Sequence, residues 1–207
     1  MRVEASRLRQ VRDVVALVVV AAVSLTACSG GGDSTGNGSS PSKTAPDTSS
    51  PGGDPALKVP APLPAQALLS NPCSALTDAE LKDVGLTPPG ELTQGPPALC
   101  DWSSLSTKQN GVGVGAVPQN KGGISDIYDQ RAKQAYFQPV TVDGYPGVFA
   151  DTQDGRPSGS CSLWVGITDQ LAFTVVTSIT IGPNKAQPCD VARKVGTAVV
   201  THLRGAA

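Results

Sequence analysis

The stretch from Ser160 to Ile181, "SCSLWVGITDQLAFTVVTSITI", decides the fold. Two runs rich in β-branched and apolar residues, 160–167 and 171–181, flank Thr168, Asp169 and Gln170. Runs of that composition around a short polar turn read as a tight β-hairpin. The first strand leaves from Cys161, and the second brings the chain near Ile181 back to the same level. A short loop then leads to Cys189, so Cys161 and Cys189 are predicted neighbours. That leaves Cys73 to pair with Cys100. Four cysteines allow three pairings, and this one is favoured over the nested set Cys100–Cys161 with Cys73–Cys189. Each bridge closes a loop of nearly 30 residues, a contribution of roughly 3–4 kcal/mol in the chain-entropy picture.

Outward from the hairpin, "PVTVDGYPGVFADT" (139–152) carries Asp143-Gly144, a turn between two short strands. Ile124 to Phe137 has apolar residues at 124, 127, 128, 132, 135 and 136, a helical stripe expected to pack on the sheet. "GVGVGAV" (111–117) alternates strictly, as a strand does. It does not fit a dinucleotide fingerprint, because Ala116 and Pro118 stand where the third glycine would fall. It reads as a strand whose smooth face lies under something close. "ALCDWSS" (98–104) reads as another strand.

Near the start of the domain, Asn71 is a cap with Pro72 at the first helical position. Thr77-Asp78-Ala79-Glu80 is a capping box opening a helix from about Asp78 to Val84, with Gly85 as its stop. At the other end, "QPCDVARKVGTAVVTHL" is a helix with Pro188 at its start. Its apolar face is Val191, Val195, Ala198 and Val199, with His202 at its edge. The predicted fold class is α+β: an antiparallel sheet of about five strands packed with helices and stapled by two disulfides.

The first 27 residues read as a signal peptide. Arg2, Arg7, Arg9 and Arg12 precede the apolar run Val14–Leu25, which is well short of the roughly 20 residues of a membrane span. Leu25-Thr26-Ala27-Cys28 resembles the lipobox of bacterial lipoproteins. That resemblance implies cleavage before Cys28, a diacylglycerol on its sulfur with palmitate-like acyl chains, and attachment to the outer face of the cell membrane. Two or more acyl chains make such an anchor durable. Residues 28–66 are mostly Ser, Gly, Thr, Pro and Asp and read as a flexible tether, stiffening near "VPAPLPA" (59–65). Residues 67–207 are then a single folded domain.

Taking four arginines and two acids from 16 basic and 17 acidic residues leaves 12 and 15, a net charge of about −3 in the mature chain. No basic stripe remains, so nucleic acid is not an expected partner. Five cysteines less Cys28 leave an even set of four, as expected for disulfides in an exported domain. No C-x-x-C occurs and His202 is the only histidine, so neither a metal site nor a cofactor is expected.

Asn71-Pro72-Cys73, Leu76-Thr77, Glu80-Leu81, Cys100-Asp101-Trp102, Cys161 and Pro188-Cys189 with Ala192 together resemble a family of actinobacterial lipoproteins. These carry a domain of unknown function over about residues 70–204. The resemblance implies an envelope location and a disulfide-stapled domain, and carries no activity. Gln187 stands before Pro188 where that family usually has Asp.

No catalytic constellation is legible. "GRPSGS" (155–160) misses the nucleophile elbow by spacing. A serine triad would have to use His202, which reads as a helix-end residue. Asp151 with Asp154, or Asp126 with Asp129, could pair as carboxylates but read as solvated charges. Trp102 and Trp164 are the ligand-binding candidates. In one reading both pack near the disulfides, since tryptophan is usually largely buried. In the other, Trp164 lies on the sheet face opposite Cys161, Leu163 and Val165 and lines a groove. The expected function is a non-enzymatic module binding a small or lipidic envelope ligand. The alternative is an accessory lipoprotein that binds a protein of an envelope or secretion machine. An apolar pocket would mark the first and an exposed apolar patch the second.

Overall fold

A computed structural model describes residues 57–207, all of which fall in one compact unit. The signal peptide, Cys28 and most of the tether lie outside the described residues.

Seven strands form one sheet: β1 (Glu91–Thr93), β2 (Leu99–Ser103), β3 (Gly111–Ala116), β4 (Tyr136–Val142), β5 (Tyr145–Asp151), β6 (Ser160–Thr168) and β7 (Leu171–Ser178). Their order is β1-β2-β3-β7-β6-β5-β4, and every neighbouring pair is antiparallel. The helices are α1 (Gln66–Ser70), α2 (Asp78–Val84), α3 (Ile124–Asp129) and α4 (Pro188–Gly205). Only α4 is long. The α+β plan of about five strands with helices packed across them is therefore corrected to a seven-stranded antiparallel sheet with few, mostly short helices.

Two strands account for the difference. β1 has three residues, all exposed, so it is held by its ladder to β2 and carries no alternating pattern. β4 begins inside the predicted helix 124–137. That helix stops at Asp129, a 3-10 turn covers Arg131–Lys133, and Tyr136 and Phe137 already pair with Asp151 and Ala150. The pair Tyr136–Phe137 satisfies a strand as well as a helix, with Tyr136 in the main core and Phe137 on the opposite face. A seven-residue ladder with β5 outweighs one more helical turn.

Cys161, Leu163, Val165 and Ile167 of β6 point to the same side as Phe173 and Val175 of β7, and α4 packs over them. The buried face of α4 is Ala192, Val195, Gly196, Val199, Val200 and Leu203. It is rotated from the predicted face, and Val191 and Ala198 are only half-buried. Gly196 explains the rotation: a Cβ there would sit 2.8 Å from Leu163 Cδ2, so the glycine lets the helix lie close on β6. Gln187 makes no side-chain cap for this helix. The capping box of α2 is present, with Thr77 N–H donating to Glu80 Oε2 at 2.7 Å and Glu80 N–H to Thr77 Oγ1 at 3.3 Å.

Cys73 is bonded to Cys100 and Cys161 to Cys189. The first bridge joins the 3-10 turn Pro72–Ser74 to β2, and the second joins β6 to the first turn of α4. The described end of the expected tether is part of the domain. Leu57, Val59, Leu63 and Ala65 are buried. Leu63 N–H donates to Ile167 O at 2.9 Å, and Tyr145 Oη donates to Ala61 O at 2.9 Å. The boundary expected at residue 67 therefore moves back to at least Leu57. Proline-rich composition hid this, because a strap held by a few apolar anchors has no periodicity.

Candidate functional site

The second face of the sheet carries the side chains that α4 does not cover. In register across it lie Val148, Trp164, Thr174 and Gly115, one residue each from β5, β6, β7 and β3. Over one end of this face, α3 buries Ile124 and Ile127 against Val148 and Ala150, with Tyr128, Phe137 and Trp164 packed alongside. Over the other end, β3 is too smooth to fill the space, and the side chains of Leu99 and Asp101 lean across Gly113 and Gly115. Asp101 Oδ1 would be 2.6 Å from a Cβ at Gly113.

A cleft of about 290 Å³ opens between these two covered regions. Trp164, Ile127, Val117, Pro96 and Pro97 give it apolar surface. Gln119, Asn120, Gln130, Gln134, Asp151 and Thr152 give it polar surface. Trp164 is half-buried and fixed, since its indole N–H donates to Ala150 O at 2.9 Å. What it presents to the cleft is ring surface rather than a free donor. Asp151 is also oriented: its Oδ2 accepts from Ser162 Oγ at 2.7 Å and its Oδ1 from Gln153 N–H at 3.2 Å. Ser162 N–H in turn donates to Tyr136 Oη at 3.1 Å. Burial pushes the Tyr136 phenol pKa above its ordinary value, and the Asp151 carboxylate adds to that.

Trp102 lies elsewhere. It is 2 % exposed and packs in the main core with Cys100. A Cβ at Gly90 would run into both Cys100 Sγ and the Trp102 indole. Trp102 is thus core, whereas Trp164 borders a cleft. The four aspartates are not paired with one another. Asp154 makes a fork with Arg156, Nε and Nη2 each 2.7 Å from a carboxylate oxygen, and these bonds hold its pKa below the usual carboxylate range. Asp126 accepts from Gly122 N–H at 2.9 Å, and Asp129 is exposed. His202 Nδ1 is 2.9 Å from Glu80 Oε2, so its ring joins α4 to α2. Among the described residues, no group of three or more His, Cys, Asp or Glu is placed to hold a metal ion.

A second cleft, of about 300 Å³, lies between α2, the β2–β3 loop and the segment after β7. Its apolar wall includes Val84, Leu86, Val112, Ile179 and Val191. Asn110 braces one side: its Oδ1 accepts from Thr180 N–H at 2.9 Å, and its Nδ2 donates to Ile181 O at 2.9 Å.

With this geometry established, comparison with known families shows that the family described as "protein of unknown function (DUF3558)" matches residues 23–202. The chain belongs to the DUF3558 family. The matched region takes in Cys28, the four bonded cysteines and every strand of the sheet. The DUF3558 description assigns no activity, lipid anchor or bacterial group. No curated protein and no solved structure matches the chain.

Of the two readings of Trp164, packed near the disulfides or lining a groove on the opposite face, neither marked the polar wall of its cleft. Gln119 and Asn120 come from the β3–α3 loop, and Gln130 and Gln134 from the end of α3 and beyond it. They meet Trp164 only through tertiary folding, and no local spacing marks them.

Proposed function

We propose that the protein is a lipid-anchored, extracytoplasmic binding module without chemistry of its own, and that its ligand site is the Trp164 cleft. The observation that carries the binding half is a half-buried tryptophan, fixed on a central strand, at the edge of a 290 Å³ opening with convergent polar side chains. A preformed concave site with a few placed polar groups is the usual form of a small-molecule site. The filled contact between α3 and the sheet leaves the cleft beside α3, rather than a cavity beneath it, as the place for a ligand.

The anchoring half rests on Leu25-Thr26-Ala27-Cys28 after a basic and then apolar leader. The family match begins at Val23, so that tetrapeptide falls inside the matched region. No helix among the described residues is long and apolar enough to cross a membrane. Attachment would come from acyl chains on Cys28, in the manner of actinobacterial lipoproteins.

A second reading is favoured by Leu105 and Ile181, 52 % and 51 % exposed. Ile181 lines the second cleft, and Leu105 N–H is bonded to Gly85 O on its border. Exposed apolar residues beside a cleft suit an accessory role, docking a protein partner of an envelope or secretion machine.

Two measurements test the main reading. Cys28→Ser is expected to move the protein from the membrane fraction to the soluble fraction; retention on the membrane would overturn the anchor. An extract of the organism's own envelope is expected to shift the tryptophan emission of the full chain, and Trp164→Phe to abolish the shift. A shift unchanged in Trp164→Phe would move the site elsewhere.

A further inference from the structure

We infer that the Trp164 cleft takes a neutral sugar ring, one apolar face of which lies against the indole. This inference rests on the cleft being the ligand site and names the class of ligand.

The polar lining decides the class. Gln119, Asn120, Gln130 and Gln134 each bring a carboxamide, a planar group with two N–H donors and an acceptor; those of Gln130 and Gln134 already donate one N–H each, to Asp126 O and Gln130 O, and keep the acceptor and the second N–H. Hydroxyl groups both donate and accept, so a ring bearing several of them can satisfy such a wall from either side. Among the described residues, no lysine, arginine or histidine lines the cleft. A fatty-acid carboxylate or a phosphate would find no counter-charge there. It would also face Asp151, whose carboxylate is held in place by Ser162 and can accept from hydroxyls. Gln119 and Asn120 make no side-chain hydrogen bonds among the described residues, so both carboxamides can turn toward a ligand.

The apolar lining decides the pose. A lipid chain gains binding energy in proportion to the apolar area it buries, so an open cleft buries only part of each methylene. Here the cleft is open, and its apolar surface is Trp164, Ile127, Val117 and two prolines. That surface matches the C–H face of one ring rather than the length of an acyl chain. The indole N–H is already bonded to Ala150 O, so the tryptophan contributes its π surface alone. Weak C–H contacts to that surface, flanked by hydrogen bonds, are the pattern of sugar stacking on an aromatic ring.

The test is an amide NMR titration of the full, disulfide-bonded chain with three separate probes: maltotriose, chitotriose and sodium decanoate. A saturable shift centred on Trp164, Asn120 and Gln130 with either saccharide is the expected result. Trp164→Ala and the exposed Gln119→Ala should each weaken that binding, the former about tenfold or more. An unchanged amide spectrum away from the cleft establishes that both variants fold. Shifts at the cleft with decanoate alone would overturn the sugar and leave the binding site standing. No shift at the cleft with any probe would overturn both, and a saccharide shift indifferent to Trp164→Ala and Gln119→Ala would overturn the sugar subsite here.

Discussion

His202 Nδ1 lies 2.9 Å from Glu80 Oε2 and so ties the last turns of α4 to the capping box that opens α2. Glu80 Oε2 also accepts from Thr77 N–H at 2.7 Å and Thr77 Oγ1 at 2.8 Å. Burial pushes this carboxyl up, but the Thr77 hydrogen bonds and the attraction of His202 outweigh it, and its pKa falls below the ordinary 4.5. A carboxyl depressed in the folded state stabilises the fold above its unfolded pKa, and that stability is lost as pH falls through the folded value. Denaturant titrations from pH 6 to pH 3 should therefore show stability falling below about pH 4.5, and Glu80→Gln should flatten the fall. The effect is small, since the side chain is 34 % exposed and screened by water. An equal acid slope in both proteins would contradict the assignment.

The bond from Cys161 to Cys189 closes a loop of 28 residues and fixes the start of α4 to the middle of the sheet. Replacing both cysteines by serine is expected to cost about 3 kcal/mol, read as a lower urea midpoint. A midpoint unchanged from the parent would mean that α4 is held by its apolar face alone.

Gly159 has φ +92°. A Cβ there would run into the Ile179 carbonyl, while Ile179 N–H donates to Gly159 O at 2.9 Å. Gly159→Ala must strain this position or break the bond, and thermal melts should show a loss of about 1–3 kcal/mol. Gly144 makes the comparison. It also has positive φ, at +88°, but nothing within 4 Å of an added Cβ, so Gly144→Ala should cost less.

Much of the architecture follows from local chemistry. The capping box and Gly85 bracket α2, which runs from Asp78 to Val84 as its end signals require. The hairpin is legible because two β-branched runs meet at a short polar turn, and β6 and β7 pair around Asp169 and Gln170. The same patterns fail where tertiary contacts decide. Tyr136 and Phe137 suit two periods, and pairing with β5 selects the strand. Leu57, Val59 and Leu63 are isolated anchors in a proline-rich strap, and only the finished domain gives them a place to bury. The candidate site divides likewise. The face of Trp164 follows from strand parity, whereas its four carboxamide neighbours come from loops and helix ends.

Trp102 and Trp164 should differ in solution as they do in burial. Acrylamide should quench the parent protein partly, and Trp164→Phe should leave a blue, poorly quenched emission from Trp102, which is 2 % exposed. Loss of the indole bond to Ala150 should lower stability by only about 1 kcal/mol. Emission that stays readily quenched in Trp164→Phe would place Trp102 at a surface and contradict the fold of β2.

The most direct measurement is native mass spectrometry of the full chain after incubation with an extract of its own envelope, alongside Trp164→Ala. A binding module with its site at Trp164 should carry a small-molecule adduct that survives desalting, and the variant should lose it. A bare protein mass in both, with a protein partner recovered in parallel, would contradict the ligand-binding account and favour docking at Leu105 and Ile181.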